Sequence, residues 1–414
     1  MPHPLHIVFF NRSFYPDMAA TGQLLTELCE ALVQEYSCRV SVVAGVPLIP
    51  LGEEVSIVRR GIFFHRQRHK GIDILRARGT RFSKHRFLGR ASNYISYFLC
   101  ACYAGLRLDR PDVVVALTDP PIIGLAGYLT SRRFKAPLVI SYRDVFPEVA
   151  RLLEDFQSEF ANRILERVNR FLAAKADRII TLGETMRRRL IEGKGAAPQK
   201  TVVIPDWADC TEIFPRPKRN PFSLAHGLSD LFVVMHSGNI GLSQGLEVLI
   251  QAAVHLKPYP DIQVVFVGDG VKKLSLEAQV HFLGATNVQF LPYSPKEQLA
   301  DSFASADLFI ISLKPGLAGY IVPSKLYGIL AAGRPYVASV EEDCEVTAVT
   351  RRFECGLLAN PVDPEDLARK ILILYRDRPL TQRLGENARK AAMEFDRPKM
   401  VQAYRNLCHE LTGL

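Results

Sequence analysis

Short unbroken apolar runs recur along the chain, each followed by a loop and then by apolar residues at helical spacing. Residues 5–10 (LHIVFF) are the first such run, which suits a strand covered on both faces. A loop over residues 11–22, rich in Pro, Asp, Ala and Gly, leads to Leu24, Leu25, Leu28, Leu32 and Val33, spaced as one face of a helix. Residues 40–44, 112–117, 138–142, 178–182 and 201–205 read as later strands, with helical segments between several of them. This β-α-β order predicts an α/β protein with a parallel sheet and helices on both faces.

The pattern breaks at residues 205–223 (PDWADCTEIFPRPKRNPFS), which hold four Pro and little periodicity. It then restarts. Residues 232–237, 263–268, 288–290, 308–312 and 336–339 read as strands, and 246–255, 296–302 and 325–332 as helices. The division is therefore a first Rossmann-like lobe over 1–205, a second over 206–390, and a C-terminal helix over 391–414 that packs back toward the first. Two such lobes would face a central cleft, where strand ends make a common ligand site.

Composition and charge narrow the choice of chemistry. With 48% hydrophobic and 23% charged residues the chain can bury a full core, which excludes a disordered protein. The net charge of +9 favours anionic partners. Much of the excess lies between Arg59 and Arg90, where nine Arg and two Lys face only Asp73. No nucleic-acid recognition motif accompanies it, so no nucleic-acid partner is expected. The eight Cys form no CxxC pair and show no zinc spacing, so they read as reduced core residues of a cytoplasmic protein. No signal peptide is read at the N-terminus, and the longest apolar run, residues 94–106, is too short to span a bilayer.

An ordered set of motifs carries the most information. The second half reads SGNIGLSQGLEVLIQ at 237–251, FVGDG at 266–270, LPYSPKE at 291–297, SADLFIIS at 305–312, VPSKLYGILAAGRPYVAS at 322–339 and CGLLANPVDPED at 355–366. The first half adds FYPDMAATGQLLTELCEAL at 14–32, YRDVFPEVA at 142–150 and VIPDWADCTEIFP at 203–215. In this order the set resembles glycosyltransferase family four, of the two-Rossmann-domain GT-B fold. It is most similar to the WcaI/WbuB-like bacterial branch that builds cell-surface polysaccharides. The resemblance implies retaining transfer of a hexosyl or N-acetylhexosaminyl group from a nucleotide sugar, UDP-linked, to a lipid-linked or saccharide acceptor. It implies no cofactor and no obligatory metal. The alternatives are a nucleotide-sugar-binding protein without transferase activity and a GT-B epimerase.

A diphosphate leaving group gains negative charge as the glycosidic bond breaks. Without a metal, that charge must meet peptide N–H groups or cations. Ser324 and Lys325, opening a helix after Pro323, offer both, which makes Lys325 the leading catalytic and donor-binding candidate; the alternative is a solvated Lys beside a capping Ser. Gly22, at the start of the first helix, would let a phosphate approach the backbone, or is an ordinary turn glycine. Gly238 and Asn239 follow a strand end. By the resemblance, Asn239 and Gln244 stand where many relatives carry Arg and Lys. The family's E-x7-E pair is replaced by Tyr320 and Gly328, which leaves Glu345 and Glu341 as candidates for the ribose hydroxyls. Pro292 would lie near the base.

On the acceptor side the resemblance points to Tyr15, Arg143 and Asp144. Asp144 sits at a strand end, placed to accept from sugar hydroxyls or to take the attacking proton, with Arg143 as its neutralising partner. An N-cap for a helix near Pro147 is the other reading. The basic segment 59–90 is expected to be a loop touching an anionic membrane surface, peripherally on its inner face, beside a largely buried helix over 94–106.

Overall fold

The structure is a computed structural model and describes residues 4–17, 20–47, 56–80, 82, 87–153 and 158–413. It divides into two compact units, Met1–Pro205 with Met400–Leu414, and Asp206–Lys399.

The first unit is built on a nine-stranded sheet. Its strands in chain order are β1 (His6–Phe10), β2 (Arg39–Gly45), β3 (Ser56–Arg59), β4 (Phe64–His69), β5 (Ile72–Ala77), β6 (Val113–Leu117), β7 (Leu138–Ser141), β8 (Arg178–Thr181) and β9 (Thr201–Val203). Their spatial order is β3-β4-β5-β2-β1-β6-β7-β8-β9. From β5 to β9 every pairing is parallel. Each residue of β1 and β6 is buried, as expected for strands with helices on both faces. Strand order reverses between β1 and β6, so the loops leaving those strands form the topological switch point, the usual place for a ligand in such sheets.

One edge departs from the purely parallel expectation. β3, β4 and β5 run antiparallel, so within the basic segment residues 59, 64–69 and 72–77 are sheet, while 60–63 and 78–80 remain irregular, in part as the loop expected. Its inward side is polar: Gln67, His69 and Arg76 are buried, while Arg68 alternates outward and pairs with Asp73 at 2.9 Å. Residues 81 and 83–86 of that segment lie outside the described residues. The helix that follows, Phe87–Leu106, is also not simply buried. Tyr97, Ala101 and Ala104 face the sheet, but Ile95, Leu99, Tyr103 and Leu106 are exposed at helical spacing on the other side. Among the described residues no helix is long and apolar enough to cross a membrane.

The second unit holds a six-stranded, all-parallel sheet of β10 (Phe232–Ser237), β11 (Ile262–Val267), β12 (Val288–Leu291), β13 (Leu308–Ser312), β14 (Tyr336–Ser339) and β15 (Gly356–Ala359), in the order β12-β11-β10-β13-β14-β15. The switch point lies between β10 and β13. Val234, Phe266 and Ile310 pack with Leu249, Ile250, Leu367 and Ile371 from the helices Glu247–Leu256 and Pro364–Arg376. Fully burying each large aliphatic residue contributes roughly 1.5–3 kcal/mol. Local chemistry fixes the helix starts. Asp363 accepts from the N–H groups of Glu365 and Asp366 at 3.0 Å ahead of Pro364, and Asp377 accepts from Leu380 at 2.8 Å.

Candidate active site

In the second unit, the loop leaving β10 is shaped by glycines. Gly238 has φ +115° and Gly268, at the end of β11, has φ +149°. A Cβ on Gly268 would stand 2.0 Å from the Gly238 carbonyl, so the two loops touch backbone to backbone. Gly238 donates to Val267 O at 2.9 Å and Ile240 to Asp269 O at 2.9 Å, which ties the β10 loop to β11. Asn239 is exposed, with its amide between the Gly241 and Gly270 positions. Gln244 turns inward instead: its Oε1 accepts from Gly241 N at 2.9 Å and its Nε2 donates to Ser243 Oγ at 2.8 Å. Gln244 therefore uses its amide to shape the loop.

Lys325 opens the helix Lys325–Ala331 and is partly buried, not solvated. Its Nζ lies 3.1 Å from Nε2 of His236, the penultimate residue of β10, and its stem runs beside Gly238. Among the described residues no carboxylate pairs with it. Burial pulls its pKa from the ordinary 10.5 down to about 7. His236 is fully buried; desolvation first, and Lys325 second, hold it well below the usual histidine value, so the ring is neutral. Sequence reasoning missed His236, because a lone His in an apolar run reads as a core residue. Ser324 does not cap the helix with its side chain, and a seven-residue helix has a short dipole. The anion-holding capacity therefore rests mainly on the Lys325 amine.

The remaining donor-side candidates scatter more widely over the same unit. Pro292 and Tyr293 are exposed just past β12, with Tyr293 donating to Asp269 O at 3.3 Å. Glu341 lies beyond β14 and accepts from Gly316 N at 2.9 Å, while Glu345 begins the helix Glu345–Phe353, where a carboxylate suits the N-terminus. A Cβ on Gly328 would meet the Phe303 ring at 2.8 Å, so an acid could not be carried there without displacing that ring.

In the first unit, the switch point gathers Arg12, Ser13 and Asp119. Ser13 Oγ donates to Asp119 at 2.9 Å and Arg12 pairs with it at 3.4 Å. None of the three was singled out from sequence, although each directly follows a strand of the predicted sheet. Arg143 and Asp144 follow β7, and both donate backbone N–H groups to Thr118 Oγ1, at 3.0 and 3.4 Å. Asp144 does not cap the next helix: the N-cap of Glu148–Leu152 is Pro147. Tyr15 stacks on His69 with centroids 4.0 Å apart, and its carbonyl accepts from the buried Arg76. Gly22 lies in the first turn of a helix. It is buried within the helix Ala20–Gln34, and a Cβ there would meet Ser13 and Phe14 at 3.2–3.4 Å. Its smallness admits its own neighbouring loop.

The family described as glycosyl transferases group 1 matches residues 222–391, and the glycosyl transferase 4-like domain matches residues 21–207. The chain is 30% identical to "Probable glycosyltransferase WbjE" of Pseudomonas aeruginosa over 301 residues, 70% of this chain and 73% of that protein. It is 30% identical over 194 residues to WcaI of Escherichia coli K12, a glycosyl transferase named for colanic acid biosynthesis; the match spans 46% of this chain and about half, 47%, of that protein. The solved structure of Anabaena HepE in complex with UDP superposes with a TM-score of 0.72 at 19% identity, covering 98% of this chain and 100% of that one. At that identity the likeness speaks for the fold.

Proposed function

Because the chain belongs to the group 1 glycosyltransferases, as a family-four enzyme of GT-B type, we propose that it moves a sugar from a UDP-linked donor to a lipid-linked or saccharide acceptor in cell-surface polysaccharide synthesis. The transfer is of the hexosyl or N-acetylhexosaminyl type, retains the anomeric configuration and needs no obligatory metal. One observation carries this reading: a partly buried Lys325, without a carboxylate partner among the described residues, lies against the Gly238 loop at a sheet switch point. A buried amine in that setting gains most from an anion, and a diphosphate is the anion whose charge grows during transfer. The UDP bound by HepE supports the choice of base.

Lys325 would stabilise the departing diphosphate, with Asn239 and the Gly238 backbone beside it and Ser324, Glu345 and Pro292 as further donor contacts. Asp144, with Arg143, would orient the acceptor hydroxyl or take its proton. A membrane surface is the accompanying partner. Ile62 and Phe63 are exposed beyond β3, Phe63 packs edge-on against Tyr103 with centroids 5.2 Å apart, and Arg59, Arg60, Arg78 and Arg107 are exposed around them. Aromatic and aliphatic side chains rimmed by Arg suit an anionic bilayer.

A thermal-shift panel of UDP- and GDP-sugars tests the donor assignment, since a ligand that binds the folded state raises the apparent melting temperature. UDP-sugars are expected to stabilise the chain. The best of them should then release UDP, and transfer label to an acceptor, in the presence of a chelator. A chain that no nucleotide sugar stabilises would refute the proposal.

A further inference from the structure

Three helices of the first unit lie side by side: Phe87–Leu106, Ile123–Phe134 and Glu159–Lys175. Glycines let them touch. A Cβ on Gly105 would stand 2.3 Å from Thr130 Oγ1, and one on Gly124 would stand 2.5 Å from Leu172 Cδ1. Phe171 of the last helix packs edge-on against Tyr128 of the middle one, with centroids 5.0 Å apart.

Their outward side differs from that of a helix whose exposed face is simply polar. In Glu159–Lys175 the buried residues are Asn162, Asn169, Leu172 and Ala173, so the inward side is itself partly polar. The opposite stripe carries Phe160, which is 73% exposed, with Arg163, Ile164, Arg167 and Phe171 following at spacings of three and four. Leu129 is exposed on the middle helix, near Arg132 and Arg133. Ile95, Leu99, Tyr103 and Leu106 continue the same layer on the first helix.

Charge selects the partner. The three helices contain two acids, Glu159 and Glu166, and both are engaged. Glu159 pairs with Arg151 at 3.3 Å, and Glu166 pairs with Arg170 at 2.5 Å and with Lys194. Among the described residues no carboxylate pairs with Arg132, Arg133, Arg163 or Arg167. A second copy docked through this face would set these cations against themselves, which disfavours it. An anionic bilayer offers hydrocarbon to the apolar side chains and phosphate to the guanidinium groups, whose stems can bury while the charge stays at the interface.

We propose that the outward side of the helices Ile123–Phe134 and Glu159–Lys175 is a second lipid-contacting surface, continuous with the one around Phe63 and Leu99, where Leu129, Phe160 and Ile164 enter the headgroup region of an anionic leaflet. The inference rests on the membrane reading above and extends it: the first unit meets lipid along three helices instead of at its basic edge alone.

The test uses the full chain and vesicles of phosphatidylcholine, alone or mixed with phosphatidylglycerol. The double variant Phe160→Ser/Ile164→Ser should lower binding to the mixed vesicles about tenfold or more, and Arg132→Gln/Arg167→Gln by a similar factor. All four positions are exposed, so the urea midpoint should not move. Phe160→Trp reports directly. Its emission should shift to the blue on the mixed vesicles and be quenched by lipids brominated on their acyl chains. The native Trp207 is buried in the other unit and supplies a constant background.

Three results would overturn the proposal. If Phe160→Ser/Ile164→Ser binds like the parent and the introduced indole is not quenched, while Ile62→Ser/Phe63→Ser binds less, this surface fails and the membrane reading stands. A parent that binds neither kind of vesicle would overturn both. A lipid-free dimer that Phe160→Ser/Ile164→Ser dissociates in sedimentation would assign the face to a second copy.

Discussion

Lys325 gives the most direct measurements at the scale of single residues. An unfolded lysine titrates near 10.5 and this folded one near 7. Across that window the unfolded chain holds a proton that the folded chain has lost, so folding stability rises with pH through the window and is lowest below it. Lys325→Met should flatten that rise in urea unfolding curves taken at about pH 7 and pH 10. Lys325→Ala should leave folding intact and reduce transfer roughly 10²–10³-fold, the cost of losing one preorganised charge. A bound diphosphate should lift the titration of Lys325, so nucleotide binding at about pH 8 should take up a proton and weaken as pH rises further. Calorimetry in two buffers of different ionisation enthalpy checks the uptake, and Lys325→Met should abolish it. Lys325 was legible in the sequence because Pro323-Ser324-Lys325 marks a helix start after a strand. His236 was not, since the depth of a histidine in a strand and the identity of its neighbour are tertiary facts. Gln244 and Gly22 stand at suggestive places, but only packing shows which neighbours each of them touches.

Among elements, the parallel strands stood out because each is an unbroken apolar run. The antiparallel edge was hidden for the opposite reason. In β4 the buried positions are Gln67 and His69, alternating with Arg66 and Arg68, so the period of two is written entirely in polar residues. Arg76 makes that polar side possible. It donates to Gln67 Oε1 at 3.0 Å, to Gly45 O at 3.2 Å and to Tyr15 O, joining β4, the end of β2 and the Tyr15 loop. Arg76→Met would leave those buried acceptors unmatched, at roughly 1–3 kcal/mol each, and should lower the urea midpoint by the equivalent of about 3 kcal/mol or more. Gly268→Ala tests the contact between the β10 and β11 loops. The added methyl meets a carbonyl at 2.0 Å on a backbone that favours glycine, so a loss of roughly 3 kcal/mol is expected, with nucleotide binding weakened as well.

For the whole molecule, the surface around Phe63, Ile95 and Leu99 bears on where the enzyme works. Flotation of the full chain with vesicles containing anionic lipid should show binding at low salt that fades as salt is raised, because Arg residues supply much of the attraction. Replacing Ile62 and Phe63 with Ser should weaken it further without altering UDP binding. Salt-independent binding, or none, would reject the membrane partner.

The chain leaves its first unit at Pro205 and re-enters it at Met400. Val401, Tyr404, Leu407 and Cys408 are buried there, and Tyr404 reaches Ser141 at 3.2 Å. During synthesis the N-terminal half must therefore wait with a seam open, while the later-made unit already has every segment it needs. The half translated first is completed last, and a ribosome that stalls near residue 399 would release a molecule whose older part is the unfinished one.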